Sequence, residues 1–242
     1  MTTTFESATT GMRDIANALG GGIRRNSLVV IEGESKTGKS VLIQHLTHGA
    51  LNSGENEIAY YSIDNSVEEL IAQMNSMNLH IIKDFVADRM QIYAVGSKNL
   101  FVDYQRSLDM LVEHISKLPE EKNLVVVDSV TPFMTRASQR EKMEFFRSCK
   151  ELCENNRTIV LVASSHIFEN KTLSRVYAMS DYYMELKSQD VMLGTGQVDP
   201  RLIKILEVTK LCGAERHGSE GIKFEIKPKI GIQILPYLSV RV

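Results

Sequence analysis

Long apolar runs are missing from this chain of 242 residues. Stretches such as Leu124 to Val127 and Ile159 to Ala163 fall far short of the ~18 residues that suggest a membrane span, and the N-terminus lacks a basic-then-apolar leader pattern. A cytoplasmic protein is the expectation. Cysteine is scarce: Cys149, Cys153 and Cys212 are three in all, too few and odd in number for a disulfide framework. Cys149 and Cys153 share a helix-like segment, but with no companion C-x-x-C or His pair they read as packing residues. Pro/Gly/Ser-rich linkers, low-complexity tracts and solenoid repeats are also lacking, so one α/β domain spanning 1–242 is expected. A net charge of -2 gives no large electrostatic footprint for nucleic acid.

What is present is a phosphate-binding pattern. Gly33-Glu34-Ser35-Lys36-Thr37-Gly38-Lys39-Ser40 matches G-x-x-x-x-G-K-[ST] in full. The β-branched run Leu28-Val29-Val30-Ile31 precedes it, and Val41, Leu42, Ile43, Leu46 and Leu51 follow at helical spacing. Strand, loop and helix therefore come in the order the motif needs. Gly33 and Gly38 let the backbone curl with its N–H groups inward, and the helix opening near Lys39 adds unpaired donors and the positive end of its dipole. Lys39 would reach the β/γ-phosphates of a nucleotide, and the Ser40 hydroxyl would hold Mg²⁺. The bland alternative is a glycine-rich turn without ligand.

Around this loop the chain alternates. Met12 to Leu19 reads as a helix ended by Gly20-Gly21-Gly22. Strands are expected at 28–32, Ile58 to Ile63, Met90 to Val95, Asn123 to Asp128 and Thr158 to Ala163. Helices are expected at 39–52, from Ser66 through Met77, at Phe101 to Lys117 and at Glu141 to Asn155. That alternation predicts a parallel sheet wrapped by helices. Beyond about residue 176, Tyr177 to Leu186, Leu202 to Thr209, Ile222 to Ile226 and Ile230 to Leu235 predict successive antiparallel strands without long helices between them.

Several residues outside the loop could carry chemistry. Asp128 ends the clearest buried strand and suits a carboxylate that holds Mg²⁺ beside the phosphate loop, although an Asp there can also be a turn residue. Asp64, after the second strand, is the candidate to orient a hydrolytic water, or else it caps the helix over Ser66 to Glu69. Ser164-Ser165-His166 follows the strand 159–163 and opens onto the same edge of the sheet, where a polar side chain, with Ser165 and His166 as the candidates, can sense a γ-phosphate or merely occupy a loop. Lys210 precedes a turn, Cys212 to Gly218, and either reaches a phosphate held by a neighbouring subunit or is a hydrated tip.

Taken together, the chain resembles the RecA/KaiC branch of P-loop ATPases, and within it the accessory ATPases of the archaellum, the archaeal motility motor. The similarity covers nearly the whole length. It rests on Leu19-Gly20-Gly21-Gly22-Ile23, on Ile31-Glu32-Gly33 through Gly38-Lys39-Ser40-Val41-Leu42, on Gln73-Met74 and on Val127-Asp128-Ser129. The tail is the more discriminating part, with Leu206 to Ala214, Phe224-Glu225-Ile226 and Gly231-Ile232-Gln233-Ile234. The resemblance implies a RecA-like α/β fold with a mostly parallel sheet and antiparallel C-terminal strands, ATP and Mg²⁺ as ligands, and a homo-oligomer, with a hexamer as one candidate. It also implies placement at the cytoplasmic face of the membrane, with the motor ATPase, the membrane platform protein and other cytosolic ring components as partners.

Two departures bear on turnover. Family members generally carry a glutamate where this chain has Asp64, one methylene shorter, and small misplacements of a base are costly in rate. KaiC-like relatives also tend to have an arginine where this chain has Cys212, so trans stabilisation of a transferring phosphate is weakened. Tight ATP binding with slow or absent hydrolysis is the expectation. The alternatives are a RecA/RadA-like ATPase acting on DNA and a KaiC-like kinase. The first would use Arg136, Arg140, Lys142, Arg147 and Lys150, yet Glu141, Glu144 and Glu151 are interleaved with them. The second usually needs a duplicated domain, and only one phosphate loop is present.

Overall fold

A computed structural model describes residues 2–3, 10–95, 107–192, 198–212, 214–215 and 221–235. The apolar runs form β1 (Leu28–Gly33), β2 (Ile58–Ser62), β3 (Met90–Ala94), β4 (Leu124–Asp128) and β5 (Thr158–Ser164). Four later strands, β6 (Tyr182–Met192), β7 (Val198–Leu211), β8 (Ile222–Lys227) and β9 (Gly231–Ile234), continue the same sheet, and the two-residue strand Ala214–Glu215 pairs with β7 beside its main path. The order along that path is β9-β8-β7-β6-β1-β5-β4-β2-β3. From β6 to β3 neighbours are parallel, and from β6 to β9 they are antiparallel, as the sequence predicts.

β1 lies between two parallel neighbours and is buried throughout, which is why it is continuously apolar from Leu28 to Ile31. Val29 and Ile31 face the cluster built with Leu42, Ile43 and Leu46 of α2 (Lys39–Asn52) and Leu70 and Met74 of α3 (Val67–Ser76). Leu28 and Val30 face the opposite cluster, built with Leu111 and Ile115 of α5 (Ser107–Ser116) and Phe146 and Cys149 of α7 (Gln139–Glu154). Each such side chain, fully buried, contributes about 1.5–3 kcal/mol. Cys149 and Cys153 are buried in this second cluster, and burial pushes both thiols up. The remaining helices are α1 (Thr10–Ala18), α4 (Ile82–Val86), α6 (Thr131–Met134) and α8 (Asn170–Met179). The expected helix over Phe101 to Lys117 begins outside the described residues, as does most of the Cys212 to Gly218 turn.

The reading of Tyr177 as the start of a strand needs correction. Tyr177 to Met179 close α8, and β6 starts only at Tyr182. Leu173, Val176 and Tyr177 face the core at the 3–4 spacing of a helix, and Ser180 ends it with its hydroxyl donating to the Tyr177 carbonyl at 3.0 Å. The aromatic and β-branched composition of Arg175 to Met184 hides that period.

The sheet's antiparallel margin is fastened to α2 by a histidine. The Ile232 N–H donates to His45 Nε2 at 3.2 Å, so the neutral ring carries its proton on Nδ1, which is buried without a partner. Gly231, with φ 74, allows this approach: a Cβ there would lie 2.0 Å from Nε2. Burial pushes the His45 pKa from 6.5 down to about 4. The unfolded chain therefore takes up the proton first as pH falls. Stabilisation by the neutral ring is full above pH 6.5 and is lost between 6.5 and about 4, by roughly 3 kcal/mol. Urea unfolding across that window should show a shallower pH dependence in His45→Leu than in the wild type; identical slopes would remove His45 from the account.

Candidate nucleotide-binding site

The phosphate-loop sequence folds as it does because its two glycines meet neighbours. A Cβ on Gly33 would lie 2.4 Å from the Leu186 carbonyl oxygen on β6, so the loop leaves the sheet where only a hydrogen fits. Gly38 has φ 96, and a Cβ there would meet Ile226 Cδ1 at 2.8 Å and Lys204 Cδ at 3.2 Å. Gly38 is also the N-cap of α2 and supplies no side-chain cap, leaving the first amide donors of that helix directed to the loop. Lys39 Nζ donates to the carbonyls of Gly33 at 2.8 Å and Glu34 at 2.6 Å, which hold the ammonium over the curl. Burial lowers the Lys39 pKa, against the opposing pull of Asp128, Glu32 and Glu34. Thr37 is buried, its hydroxyl donating to the Glu34 carbonyl at 2.8 Å.

Asp128 ends β4 in register with Ser62 of β2 and Val162 of β5. Both of its oxygens are engaged. The Ser40 hydroxyl donates to Oδ1 at 3.1 Å, and the Tyr60 phenol donates to Oδ2 at 2.9 Å. Tyr60 is fully buried on β2, and burial together with the Asp128 charge pushes its hydroxyl well up. Burial likewise holds the Asp128 carboxyl above the usual carboxylate range, opposed by the bonds from Tyr60 and Ser40 and raised further by Asp64. The peptide between Asp128 and Ser129 is cis.

Ser35, Lys36, Gly38, Lys39, Ser40 and Val41 face a cavity of about 330 Å³ together with Asp64 and Asp128. Ser129, Val162, Ser164 and Ile226 close it. Asp64 is exposed there and does not cap α3. That cap is a box between Ser66 and Glu69: Ser66 Oγ accepts the Glu69 N–H, and the Glu69 carboxylate accepts the Ser66 N–H at 2.8 Å. Ser165 and His166 lie in the short turn after β5, outside the cavity lining, and it is Ser164 that reaches it.

Lys210 is buried on β7, with Nζ donating to the carbonyls of Tyr177 and Ala178 at 2.6 and 2.9 Å, at the C-terminal end of α8. The Cys212 thiol sits 3.1 Å from the Tyr182 hydroxyl. From the tail, Lys204 does reach the phosphate loop: its Nζ donates to the Lys36 carbonyl at 2.6 Å. Lys36 has φ 66, a conformation this bond helps to hold. Sequence reasoning gave Lys204, Tyr60 and Ile226 no part in the site, whereas Ser164 belongs to the Ser164-Ser165-His166 run that it placed at this edge of the sheet. Glu32 was visible only in the run Ile31-Glu32-Gly33; it is buried at the end of β1 just before the loop, and burial raises its carboxyl.

A strand, a glycine-bounded loop, an N-terminal lysine and serine on the next helix, and a carboxylate on a parallel strand nearby define a P-loop nucleotide-binding site on an α/β RecA-like sheet. The KaiC ATPase family model matches residues 8–239, and the chain belongs to that family. It is 24% identical over 94% of its length to the archaeal flagellar ATP-binding protein FlaH of Sulfolobus acidocaldarius, covering 96% of that protein. It is 27% identical to the protein of the same name from Methanocaldococcus jannaschii, with 91% of each covered. The crystal structure of the flagellar accessory protein FlaH from M. jannaschii superposes with a TM-score of 0.80 at 22% identity, over 98% of this chain and 100% of that one, which bears out the fold expected from the sequence. DNA repair and recombination protein RadB of Pyrococcus furiosus is 22% identical over 77% of this chain and 80% of its own length.

The donors fit a magnesium-bound polyphosphate. Helix-start amides and the Lys39 ammonium suit phosphate oxygens, and Ser40 with Asp128 offers hard oxygen ligands. Among the described residues no group of three or more His, Cys, Asp or Glu could hold a metal alone. A cation here would complete its shell from phosphate and water, as Mg²⁺ does. Tyr60→Phe should cost about 1.5–3 kcal/mol in urea unfolding at neutral pH, the range for a hydrogen bond to a charged group. It should also raise the pH at which Asp128 protonates, so that calorimetry finds the Mg²⁺-dependent part of ATP affinity fading at higher pH than in the wild type. An unchanged pH profile would detach Tyr60 from the carboxylate's ionisation.

Proposed function

We propose that this protein binds Mg-ATP as an assembly and regulatory component of an archaellum motor, with hydrolysis slow or absent. The observation that carries the reading is the Lys39–Ser40–Asp128 constellation, in a chain that aligns over nine-tenths of its length with proteins named archaeal flagellar ATP-binding protein FlaH. Loop amides and Lys39 hold the phosphates, while Ser40 and Asp128 hold the metal, which counters phosphate charge when bound. Asp64 faces the same cavity with a short carboxylate, poorly placed to orient a water, which favours binding over turnover. γ-Phosphate contacts order neighbouring segments, and that ordering switches the surface offered to the motor ATPase and the membrane platform protein. The protein would act as a homo-oligomer at the cytoplasmic side of the membrane; among the described residues no helix is long and apolar enough to cross it. Lys210 enters a neighbouring subunit's site only by leaving the α8 carbonyls it now caps.

Lys39→Ala should weaken ATP binding by about a hundredfold, equivalent to about 2.7 kcal/mol, and abolish any ATP-dependent association with the motor ATPase. Asp64→Glu should speed single-turnover hydrolysis with little change in ATP affinity. Wild-type turnover at tens per second by the isolated protein, or equal effects of ATP and ADP on motor association, would defeat the switch.

A further inference from the structure

Away from the nucleotide cavity, α7 packs against α8 and leaves a cleft of about 400 Å³ between them. Its polar wall is arginine: Arg140 and Arg147 from α7 and Arg175 from α8, with Met143, Glu144 and Gln139 completing it. Arg140, Met143, Glu144 and Arg147 fall on one stripe of the helix by their spacing. The basic residues of this region are not equivalent. Lys142 donates to the Ile167 carbonyl at 2.9 Å, Lys150 is paired with Asp181 at 2.6 Å, and Arg140 lies 3.7 Å from Glu144. Arg147 and Arg175 are exposed and, among the described residues, have no hydrogen bond or ion pair. An exposed, unpaired arginine is ordinary; two from different helices converging on one cleft beside a methionine form a cationic surface with an apolar element.

We propose that this arginine cleft docks an acidic, partly apolar peptide segment of a protein partner. Charge complementarity sets the sign, since three guanidinium groups face one carboxylate in a chain whose net charge is -2. Nucleic acid fits less well. No aromatic side chain lines the cleft for a base to stack on, and Glu144 and Glu151 interrupt any basic track along α7. Arginine, by contrast, matches carboxylates with a two-pronged donor set, and Met143 offers an adaptable apolar contact.

Both walls of the cleft lead back along the chain to residues of the nucleotide cavity. α7 follows Asp128 and Ser129 through α6, and α8 follows Ser164 through the short turn at Ser165–Ile167. The Ser164 N–H donates to Thr131 Oγ1 at 3.0 Å, Lys142 ties α7 to that turn, and Gln139 donates to Glu169 at the start of α8. Docking would therefore respond to nucleotide, and that response alone rests on the function proposed above.

The test uses the full chain, a short fluorescein-labelled peptide of alternating glutamate and leucine, and fluorescein-labelled oligothymidylate, with ATP affinity measured separately by calorimetry. The wild type should bind the peptide more tightly than the oligothymidylate. Arg147→Glu and Arg175→Glu should each weaken peptide binding about tenfold or more without changing ATP affinity or the thermal midpoint, while Lys83→Glu on α4 leaves it unchanged. Arg147→Lys should recover part of the loss. Absence of wild-type peptide binding, equal weakening by Lys83→Glu, or tighter binding of oligothymidylate through the same arginines would overturn the proposal. Failure to bind ATP would instead strike the function proposed above and leave the arginine dependence standing or falling by itself.

Discussion

One half-buried carboxylate joins the pieces of the candidate site. Asp128 is held from one side by Ser40, the second residue of α2, and from the other by Tyr60 on β2, so helix, loop and two strands share a single anchor. Partial burial alone disfavours the charged form of that carboxylate. The two hydroxyls keep it ionisable while leaving it close to the Lys39 ammonium. Because the bonds come from different segments, the relative placement of the phosphate loop and β4 is fixed by chemistry as well as by packing.

The seat of that anchor was largely legible in the order of residues. The phosphate loop declares itself because all its parts are contiguous, with Gly33, Gly38, Lys39 and Ser40 at fixed offsets. Asp128 was legible because an apolar run that stops on a carboxylate marks the end of a parallel strand. What sits opposite was not. Tyr60 reaches Asp128 across 68 residues and Lys204 reaches Lys36 across 168, and no local pattern signals either. A tyrosine in a strand and a lysine between apolar residues look like a core aromatic and a solvated edge.

Errors in the tail have a comparable origin. α8 was read partly as strand because Val176, Tyr177, Tyr182 and Tyr183 are residue types that favour sheets, although the first two face the core on helical spacing. Within the Ser164-Ser165-His166 run, the alternation of β5 turns Ser164 to the cavity and leaves the next two residues in a turn, a distinction that three adjacent polar residues do not show in sequence. For Lys210 the sequence leaves open a phosphate contact in a neighbouring subunit or a hydrated tip, because only the turn after it is visible there; the strand buries it and α8 supplies carbonyls for its ammonium.

The bracing of the phosphate loop by Lys204 and Ile226 bears on how the chain is made. Gly38 and Lys36 are synthesised early, but the side chains that fix their conformation belong to β7 and β8. Domains emerge from the ribosome N-terminal end first. A nascent chain thus carries the whole phosphate-loop sequence long before it has a finished pocket, and nucleotide capture becomes a late step of maturation, completed only when the antiparallel strands have closed against the loop.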